Sequence, residues 1–308
     1  MTPILIIGAG MAGLACARRL ADAGLAPTVL DKGSSIGGRV TTRHAGDLQF
    51  DHGAQYVNAH GAGFAAALNS LSGAVAGWQD SNGRTHIVGV PGMSAIPRAL
   101  GAELDIQQEV QVIGLEHQAD GWTLQTKDGA WCAARVVVTV PAPQVAGLLG
   151  ADHPLIAALA PVRLAPCLTL MAAVVGAAPF ITRQDADDPL SWIAQDSSKP
   201  GRPQGIVTQW VAQAGEAFSQ THLEETPTQI AARMLLMLCD RLGVTPDLMT
   251  HASAHRWRYA RVTQALGQPF LRSPDATLYL GGDWCIGPRV EAAWTSGTAI
   301  ADDILAQL

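Results

Sequence analysis

The N-terminal segment reads Ile4-Leu5-Ile6-Ile7-Gly8-Ala9-Gly10-Met11-Ala12-Gly13, in which an apolar run leads directly into a Gly-x-Gly-x-x-Gly motif. A helix-patterned segment follows, and a second apolar run, Pro27-Thr28-Val29-Leu30, ends on Asp31. This order predicts a strand, a glycine turn, a helix and a second strand with an acid at its tip, as in a dinucleotide-binding βαβ unit. A glycine-rich turn of an α/β fold that binds nothing is the alternative.

Each glycine of the motif has a physical role in a dinucleotide-binding unit. Gly8 permits a sharp turn, Gly10 lets backbone amides approach a pyrophosphate, and Gly13 permits close packing of the helix on the sheet. The helix N-terminus offers N–H groups and a positive dipole end to the phosphates, and Asp31 would accept hydrogen bonds from ribose hydroxyls. The cofactor-binding residues predicted from this stretch are Gly8, Gly10, Met11, Ala12, Gly13, Asp31 and Lys32.

The composition excludes several classes of function. A chain of 308 residues, 48% of them hydrophobic, can bury an ample core in one large or two medium domains. The formal net charge of −6 argues against a nucleic-acid partner. The five cysteines form no Cys-x-x-Cys pair, so neither a disulfide framework nor a metal site is expected. The first apolar run is too short for a signal peptide or a membrane span, which predicts a cytoplasmic protein without a membrane partner.

A second glycine motif, Gly37-Gly38-Arg39, follows Asp31 and bears on whether the cofactor is FAD or NAD. It resembles the second motif of the flavoprotein superfamily that contains amine oxidases, phytoene desaturases and renalases. In that superfamily the Gly-Gly-Arg lies against FAD, so the resemblance implies that Gly38 and Arg39 contact the cofactor. A surface turn with an exposed arginine is the alternative.

The C-terminal segment carries a further match to the same superfamily. Gly282-Asp283 is followed by Glu291-Ala292-Ala293-Trp294-Thr295-Ser296-Gly297 at the head of a predicted helix, which resembles the C-terminal FAD signature. The resemblance implies that the acid binds the ribityl or pyrophosphate portion and that the helix N-terminus approaches the flavin. The cofactor contacts implied outside the first motifs are Gln55, Tyr56, Val110, Gly282, Asp283, Arg289, Val290 and Glu291.

The predicted fold class is α/β, with a Rossmann-like FAD-binding domain and an interleaved α+β substrate domain built on a mixed sheet. Because nucleotide signals occur near both ends, the FAD-binding domain is predicted over 1–72, 101–150 and 271–308, and the substrate domain over 73–100 and 151–270. Hydrophobic periodicity predicts strands over 106–116, 122–126, 135–140, 164–175, 205–211 and 277–280, and a helix over 228–242.

A narrower resemblance, to bacterial renalase-like proteins, extends over nearly the whole chain. It is carried by Asp51-His52-Gly53-Ala54-Gln55-Tyr56, Pro91-Gly92-Met93-Ser94-Ala95-Ile96, Ser198-Lys199-Pro200-Gly201-Arg202, Ala254-His255-Arg256-Trp257-Arg258-Tyr259-Ala260-Arg261 and Gly282-Asp283-Trp284-Cys285. The resemblance implies a non-covalent FAD oxidase whose substrate is a dihydronicotinamide nucleotide reduced at C2 or C6. A hydride would pass to flavin N5, and O2 would reoxidise the flavin to give H2O2 and NAD(P)+.

The predicted substrate contacts are His255, Trp257 and Tyr259, with Arg256 as an anchor for a carboxamide or phosphate. On an extended strand the three odd-numbered residues share one face and Arg256 lies on the other, so both sets line one pocket only if the segment bends. A buried core histidine is the alternative for His255. Weaker candidates are Gln55, Tyr56, Trp192, Gln195 and Gln209.

Two other functions remain open at the level of sequence. One is an FAD amine oxidase or desaturase acting on a small amine or an apolar substrate, and Lys199 is then the candidate for the lysine that many amine oxidases place near flavin N5. The other is a flavin-binding protein without turnover. Dihydropyridines are already activated hydride donors and need no strong base, which favours the renalase-like hypothesis.

Overall fold

The computed structural model describes residues 3–176 and 178–308. Met1, Thr2 and Ala177, which the predicted domain ranges include, lie outside the described residues. The strands are β1 (Ile4–Ile7), β2 (Thr28–Leu30), β3 (Arg43–Ala45), β4 (Leu48–Phe50), β5 (Val75–Gln79), β6 (Thr85–Gly89), β7 (Asp105–Gln107), β8 (Val112–Gln118), β9 (Gly121–Thr126), β10 (Gly129–Ala133), β11 (Arg135–Val138), β12 (Arg163–Val175), β13 (Thr182–Gln184), β14 (Trp192–Gln195), β15 (Val207–Gln213), β16 (Met249–Gln264), β17 (Phe270–Arg272) and β18 (Leu278–Gly281). The helices are α1 (Met11–Asp22), α2 (Ala62–Ser70), α3 (Ala95–Leu100), α4 (Ala142–Leu149), α5 (Pro154–Ala158), α6 (Glu216–Thr221), α7 (Pro227–Leu242) and α8 (Val290–Ala306).

A six-stranded sheet in the order β17-β18-β11-β1-β2-β7 carries the N-terminal motif. Its pairs are parallel except for β17 with β18. Side chains alternate between its faces, so Ile4 and Ile6 pack into the core beneath α1 and α8, while Leu5 and Ile7 pack against the three-stranded sheet β10-β9-β8. The predicted Rossmann-like α/β fold is confirmed.

The strand predicted over 106–116 is two strands in the structure. β7 ends at Gln107 and pairs with β2, whereas β8 begins at Val112 and pairs with β9. Glu109, between them, has a φ of 60°, a left-handed conformation that a strand cannot contain. The Val110 N–H then donates to the Asp31 carbonyl at 2.9 Å, so the interruption brings the chain back to the end of β2.

A five-stranded sheet in the order β13-β14-β15-β12-β16 forms the second layer. Leu168, Leu170, Ala172 and Val174 of β12 point to α7, where they pack against its apolar face. The odd-numbered residues Met171 and Ala173 point the other way and pack with Phe50 of β4. Every pair in this sheet is antiparallel, so it is not the mixed sheet that was expected.

The two sheets draw on different parts of the chain. The six-stranded sheet contains the strands at both ends of the sequence together with β7 and β11, and the five-stranded sheet contains the strands between residues 163 and 264. The division into the domain ranges given above stays a prediction. No helix in the described part of the chain is long and apolar enough to cross a membrane.

Candidate cofactor and substrate site

The loop after β1 leaves backbone donors and open space at the N-terminus of α1. Gly10 is the N-cap of α1, no side chain caps the helix there, and a Cβ at Gly10 would meet no heavy atom within 4 Å. A Cβ at Gly13, in contrast, would lie 1.9 Å from the Gly8 carbonyl oxygen. Unpaired N–H groups facing open space at a helix N-terminus fit the pyrophosphate of a dinucleotide.

Asp31 holds the glycine loop as well as facing it. Its Oδ2 accepts a hydrogen bond from the Ala9 N–H at 2.6 Å, and its Oδ1 accepts one from the Gly33 N–H at 2.7 Å. A carboxylate oxygen accepts more than one hydrogen bond, so both oxygens keep capacity for ribose hydroxyls. The structure thus places Asp31 and Val110 together, with the exposed Lys32 at their edge.

The N-terminal and C-terminal motifs meet at an arginine–aspartate pair. The Arg39 guanidinium donates to both oxygens of Asp283 at 2.7 and 2.8 Å, across 244 positions of sequence, and donates to the Ala260 carbonyl at 2.9 Å. Gly37 donates its N–H to the Ala9 carbonyl at 2.7 Å, and a Cβ at Gly38 would lie 3.5 Å from Gly10 Cα. The loop at Gly10 and the pair at Asp283 therefore belong to one continuous surface.

The start of α8 lies beside that surface. A Cβ at Gly297 would lie 2.0 Å from the Ala12 carbonyl oxygen, so only glycine lets α8 approach α1 this closely. The exposed Arg289 is the N-cap residue of α8 without a side-chain cap, and Val290 begins the helix. A short 3-10 helix after Gly282 carries Asp283, and the Gly282 N–H donates to the Ser296 hydroxyl at 2.9 Å.

Glu291 makes a different contact from the one expected of a cofactor ligand. Its carboxylate accepts hydrogen bonds from the Gly61 N–H at 2.6 Å and the His60 N–H at 3.1 Å, at the N-terminus of α2. Negative charge stabilises a helix N-terminus, so the side chain joins α8 to α2. The expected cofactor contact of Glu291 stays a prediction, and the structure adds this link between the two helices.

Four buried charges, which we call the charge cluster, fix the turn over 51–55 to the five-stranded sheet. Lys199 Nζ lies 2.7 Å from Asp196 and 3.1 Å from Asp51, Arg202 pairs with both acids, and all four side chains are fully buried. Burial would raise the pKa of Asp51, but the Lys199 and Arg202 charges lower it below its usual range. Burial and the Asp51 charge raise the pKa of Asp196.

The charge cluster contains or contacts two side chains that were expected near the cofactor, Lys199 and Gln55. Lys199 donates into this closed set of partners, including Gln55 Oε1 at 3.4 Å, so it is not a free amine available to a flavin. Gln55, expected at the cofactor, is buried and donates through Nε2 to the carbonyls of Asp51 and Gly53. Both side chains shape the turn that carries Gly53, where a Cβ would lie 2.0 Å from the Arg39 carbonyl oxygen.

Strand register separates Arg256 from the other predicted substrate contacts. His255 pairs opposite Thr169 and Trp257 opposite Cys167, whereas Arg256 pairs opposite Leu168, which packs against α7. Opposed residues in an antiparallel pair share a face, so Arg256 lies on the α7 side. There it donates to the Leu223 carbonyl, and its expected role as an anchor in the His255 pocket is wrong. Tyr259 lies where the register shifts, between the paired Trp257 and Arg261.

The face opposite α7 carries a compact aromatic group, His52, His255 and Trp257, which we call the imidazole cluster. The His52 ring stacks on Trp257 at 5.3 Å, and His255 meets His52 and Trp257 edge-on at 4.9 and 4.3 Å. Trp257 Nε1 donates to the His52 carbonyl at 2.8 Å. The sequence argument missed His52 as a site residue, although its place between Asp51 and Gly53 in a matched motif was a usable signal.

Both imidazoles of the cluster are neutral at pH 7. Burial lowers the pKa of His52 to about 3, with smaller contributions from His255 and Arg43. Burial, followed by the Arg43 and Arg256 charges, lowers the pKa of His255 to about 4. His52 Nδ1 is buried without a hydrogen-bond partner among the described residues. The cluster therefore offers neutral donors and acceptors rather than a cation or a general acid.

A second aromatic group surrounds Tyr56. Its ring stacks on His86 at 3.9 Å and lies 5.6 Å from Trp192, and His86 is held between Asp80 and Asn58 at 3.1 Å each. Sequence reasoning did not identify His86, because an isolated histidine in a hairpin carries no motif.

Gln195 and Gln209, the two remaining glutamines among the weaker candidates, differ in strand register and in contacts. Gln195 pairs opposite Trp210, on the α7 side of the sheet, and so lies away from Trp192. Gln209 is buried and accepts the Gln49 N–H at 2.8 Å. Both side chains therefore contribute to the packing of the sheet.

Comparison with known families agrees with the class of protein that the fold and loop define, a dinucleotide-binding flavoprotein. A model described as an NAD(P)-binding Rossmann-like domain matches residues 6–71. The model described as flavin containing amine oxidoreductase matches residues 56–305, most of the chain. The chain belongs to the flavin containing amine oxidoreductase family and is an FAD-dependent oxidoreductase.

Solved structures share this fold over their full length. A protein described as a protoporphyrinogen oxidase from Exiguobacterium sp. 255-15 has a TM-score of 0.81 at 13% identity, covering 100% of this chain and 99% of that one. A redesigned putrescine oxidase has a TM-score of 0.79 at 14% identity over 100% and 99% of the two chains. Cyclohexylamine oxidase from Brevibacterium oxydans IH-35A has a TM-score of 0.77 at 13% identity, covering 99% of each. At these identities the likeness concerns the fold alone.

Proposed function

We propose that this protein is a renalase-like oxidase that converts dihydronicotinamide nucleotides reduced at C2 or C6 to NAD(P)+. FAD, when bound, supplies the hydride acceptor and is reoxidised by O2 with formation of H2O2. The chain's own residues hold the nucleotide ring, keep water out and provide no base. This division of work suits a substrate that gains aromaticity when it loses a hydride.

The observation that carries the proposal is the electrostatic character of the imidazole cluster. Two carboxylates in the segments that build the site are committed to cations: Asp51, beside His52, to Lys199 and Arg202, and Asp283, at the cofactor motifs, to Arg39. Arg43 lies beside His255, and both imidazoles are neutral. A positive environment in which these two carboxylates are already paired disfavours an ammonium substrate and suits an anionic nucleotide.

Non-covalent attachment of FAD belongs to the same proposal. Cys285 lies two residues from Asp283 and is fully buried, and burial raises the pKa of its thiol to about 12. A protonated, enclosed thiol is a poor nucleophile, so we expect Cys285 to pack near the cofactor without bonding to it. Extraction with acid or mild heat should release all the flavin from the protein.

Oxidation of a small amine is the second candidate function. Its support is the family itself and the two similar structures named for putrescine and cyclohexylamine oxidation. The aromatic group of Tyr56, His86 and Trp192 could enclose an amine or an apolar ring. Against this candidate stands Lys199, whose amine is taken up by Asp51 and Asp196.

Product analysis distinguishes the two candidates. We expect the FAD-loaded protein to consume one O2 and release one H2O2 for each 2- or 6-dihydro-NAD(P) converted to NAD(P)+, with 4-dihydro-NAD(P) inert. Peroxide release from putrescine or cyclohexylamine, with none from the dihydronicotinamide isomers, would contradict the proposal and favour an amine oxidase. Peroxide from neither class of compound would favour a flavin-binding protein without turnover.

A further inference from the structure

The side chain of Arg43 reaches across to the imidazole cluster. Arg43 begins β3, and the β3–β4 hairpin lies on the five-stranded sheet, where Phe50 stacks on His251 at 5.5 Å. The Arg43 guanidinium Nη2 lies 3.4 Å from His255 Nδ1. The hairpin therefore positions a cation at the exposed edge of the cluster.

The charge of Arg43 is not compensated by its neighbours. No carboxylate lies within 4.0 Å of its guanidinium in the ranges that the structure describes, and the guanidinium is exposed. Asp51, which directly follows β4, forms ion pairs with Lys199 and Arg202. The Arg43 charge lowers the pKa of both His52 and His255, which reports a positive potential extending into the cluster.

This cation is separate from the arginine at the cofactor motifs. Arg39 contacts the carbonyl of Ala260, whereas Arg43 contacts His255, five residues earlier on the same strand β16. Five residues of strand span up to about 16 Å when fully extended, and β16 is irregular between Trp257 and Arg261, so the two arginines contact β16 at separate positions. Arg39 is also neutralised by Asp283, while Arg43 keeps its charge for a ligand. A pyrophosphate bound at the N-terminus of α1, as expected for FAD, would therefore not account for Arg43.

We propose that Arg43, with His255 beside it, forms an anion subsite that holds the phosphate next to the nicotinamide riboside of the substrate. A planar guanidinium binds phosphate through two parallel hydrogen bonds, and a neutral imidazole can donate a third. The subsite rests on the proposed function for its ligand. It makes Arg43 a specificity-determining residue that selects phosphorylated dihydronicotinamides over their nucleosides.

The test compares Arg43→Met with Arg98→Met. Methionine keeps an unbranched stem and removes the charge, and Arg98 is an exposed arginine on α3 without a carboxylate within 4.0 Å among the described residues. The probes are 2- and 6-dihydronicotinamide mononucleotide and the matching ribosides, mixed anaerobically with the FAD-loaded protein. The readout is the probe concentration that gives half-maximal flavin reduction.

Arg43→Met should raise this concentration roughly tenfold for the mononucleotides and leave it unchanged for the ribosides, because one charge-assisted contact is lost. Added salt should weaken the apparent affinity of the wild type and of Arg98→Met for the mononucleotides. It should have little effect on the apparent affinity of Arg43→Met. An equal effect on mononucleotides and ribosides, or no effect on either, would overturn the subsite.

Failure of the proposed function gives a different result. If no dihydronicotinamide reduces the wild-type flavin, the substrate assignment is wrong, and calorimetric titration with inorganic pyrophosphate then tests the subsite alone. Wild type and Arg98→Met should bind pyrophosphate roughly tenfold more tightly than Arg43→Met. Equal affinities in all three proteins would overturn the anion subsite whatever the substrate is.

Discussion

The glycine loop after β1 and the imidazole cluster on the five-stranded sheet present polar groups by opposite means. The loop uses backbone N–H groups, and its glycines remove side chains, as Gly10 and Gly13 do in different ways. The cluster uses side chains brought together from two distant segments, at His52 and at His255 with Trp257. A backbone site follows from local sequence, whereas a side-chain site follows from strand register, and the two should respond differently to substitution.

The largest expected effect is at the loop. Gly10→Val should abolish FAD retention, because the new side chain fills the open space in front of α1 while the φ of −78° at Gly10 accommodates valine. The folded protein should persist without cofactor. Flavin content after gel filtration and the far-UV spectrum measure both points. Gly147→Val, another glycine with open space around its Cβ but on α4, is the matched control and should stay fully loaded.

The next effect tests the charge cluster beneath the 51–55 turn. Lys199→Met should lower the free energy of unfolding by about 3–5 kcal/mol, because Asp51 and Asp196 would share a buried site with one cation fewer. Urea unfolding of the FAD-loaded protein measures the loss. Lys127→Met, at an exposed lysine in the β9–β10 turn, should change stability by less than about 0.5 kcal/mol. Equal stability of the two variants would show that the charge cluster does not hold the turn.

A smaller effect separates the two faces of β16. His255→Ala should slow anaerobic flavin reduction by roughly tenfold with FAD still bound, because the proposed substrate contact is removed. Arg256 is the next residue but lies on the α7 side, so the flavin of Arg256→Ala should be reduced at the wild-type rate. Stopped-flow absorbance under saturating substrate measures both. Slowing by Arg256→Ala alone would mean that the register does not decide which residues meet the substrate.

The two faces of β16 also show how much of the structure could be predicted from the sequence. The strands, the loop and the cofactor motifs were predictable because their signals are local or belong to a matched motif. The burial of Lys199 was not, since its partner Asp51 lies 148 positions away and only the folded chain brings them together. The break at Glu109 was missed because a residue at positive φ other than glycine leaves no pattern in hydrophobicity. The position of Arg256 followed from the alternation of strand residues, once the pairing with β12 was known.

The smallest expected effect is a pH dependence of stability. The pKa values of His52 and His255 are lowered to about 3 and about 4, whereas in the unfolded chain histidine titrates near about 6.5. Below about pH 6.5 the unfolded chain takes up protons that the folded chain excludes, so these residues lower the stability as the pH falls toward 4. Urea unfolding between pH 7 and 5 should show a shallower decline for His255→Gln than for the wild type. Identical slopes would contradict the neutral, enclosed state of His255.

The central claim is that the site at the imidazole cluster accepts a dihydronicotinamide rather than an amine. Anaerobic mixing of the FAD-loaded protein with 2-dihydro-NAD(P), 6-dihydro-NAD(P), 4-dihydro-NAD(P) and a panel of amines tests it directly through the flavin absorbance. The account predicts rapid bleaching by at least one of the two isomers and none by the amines. Bleaching by an amine, with the flavin left oxidised by both isomers, would contradict it.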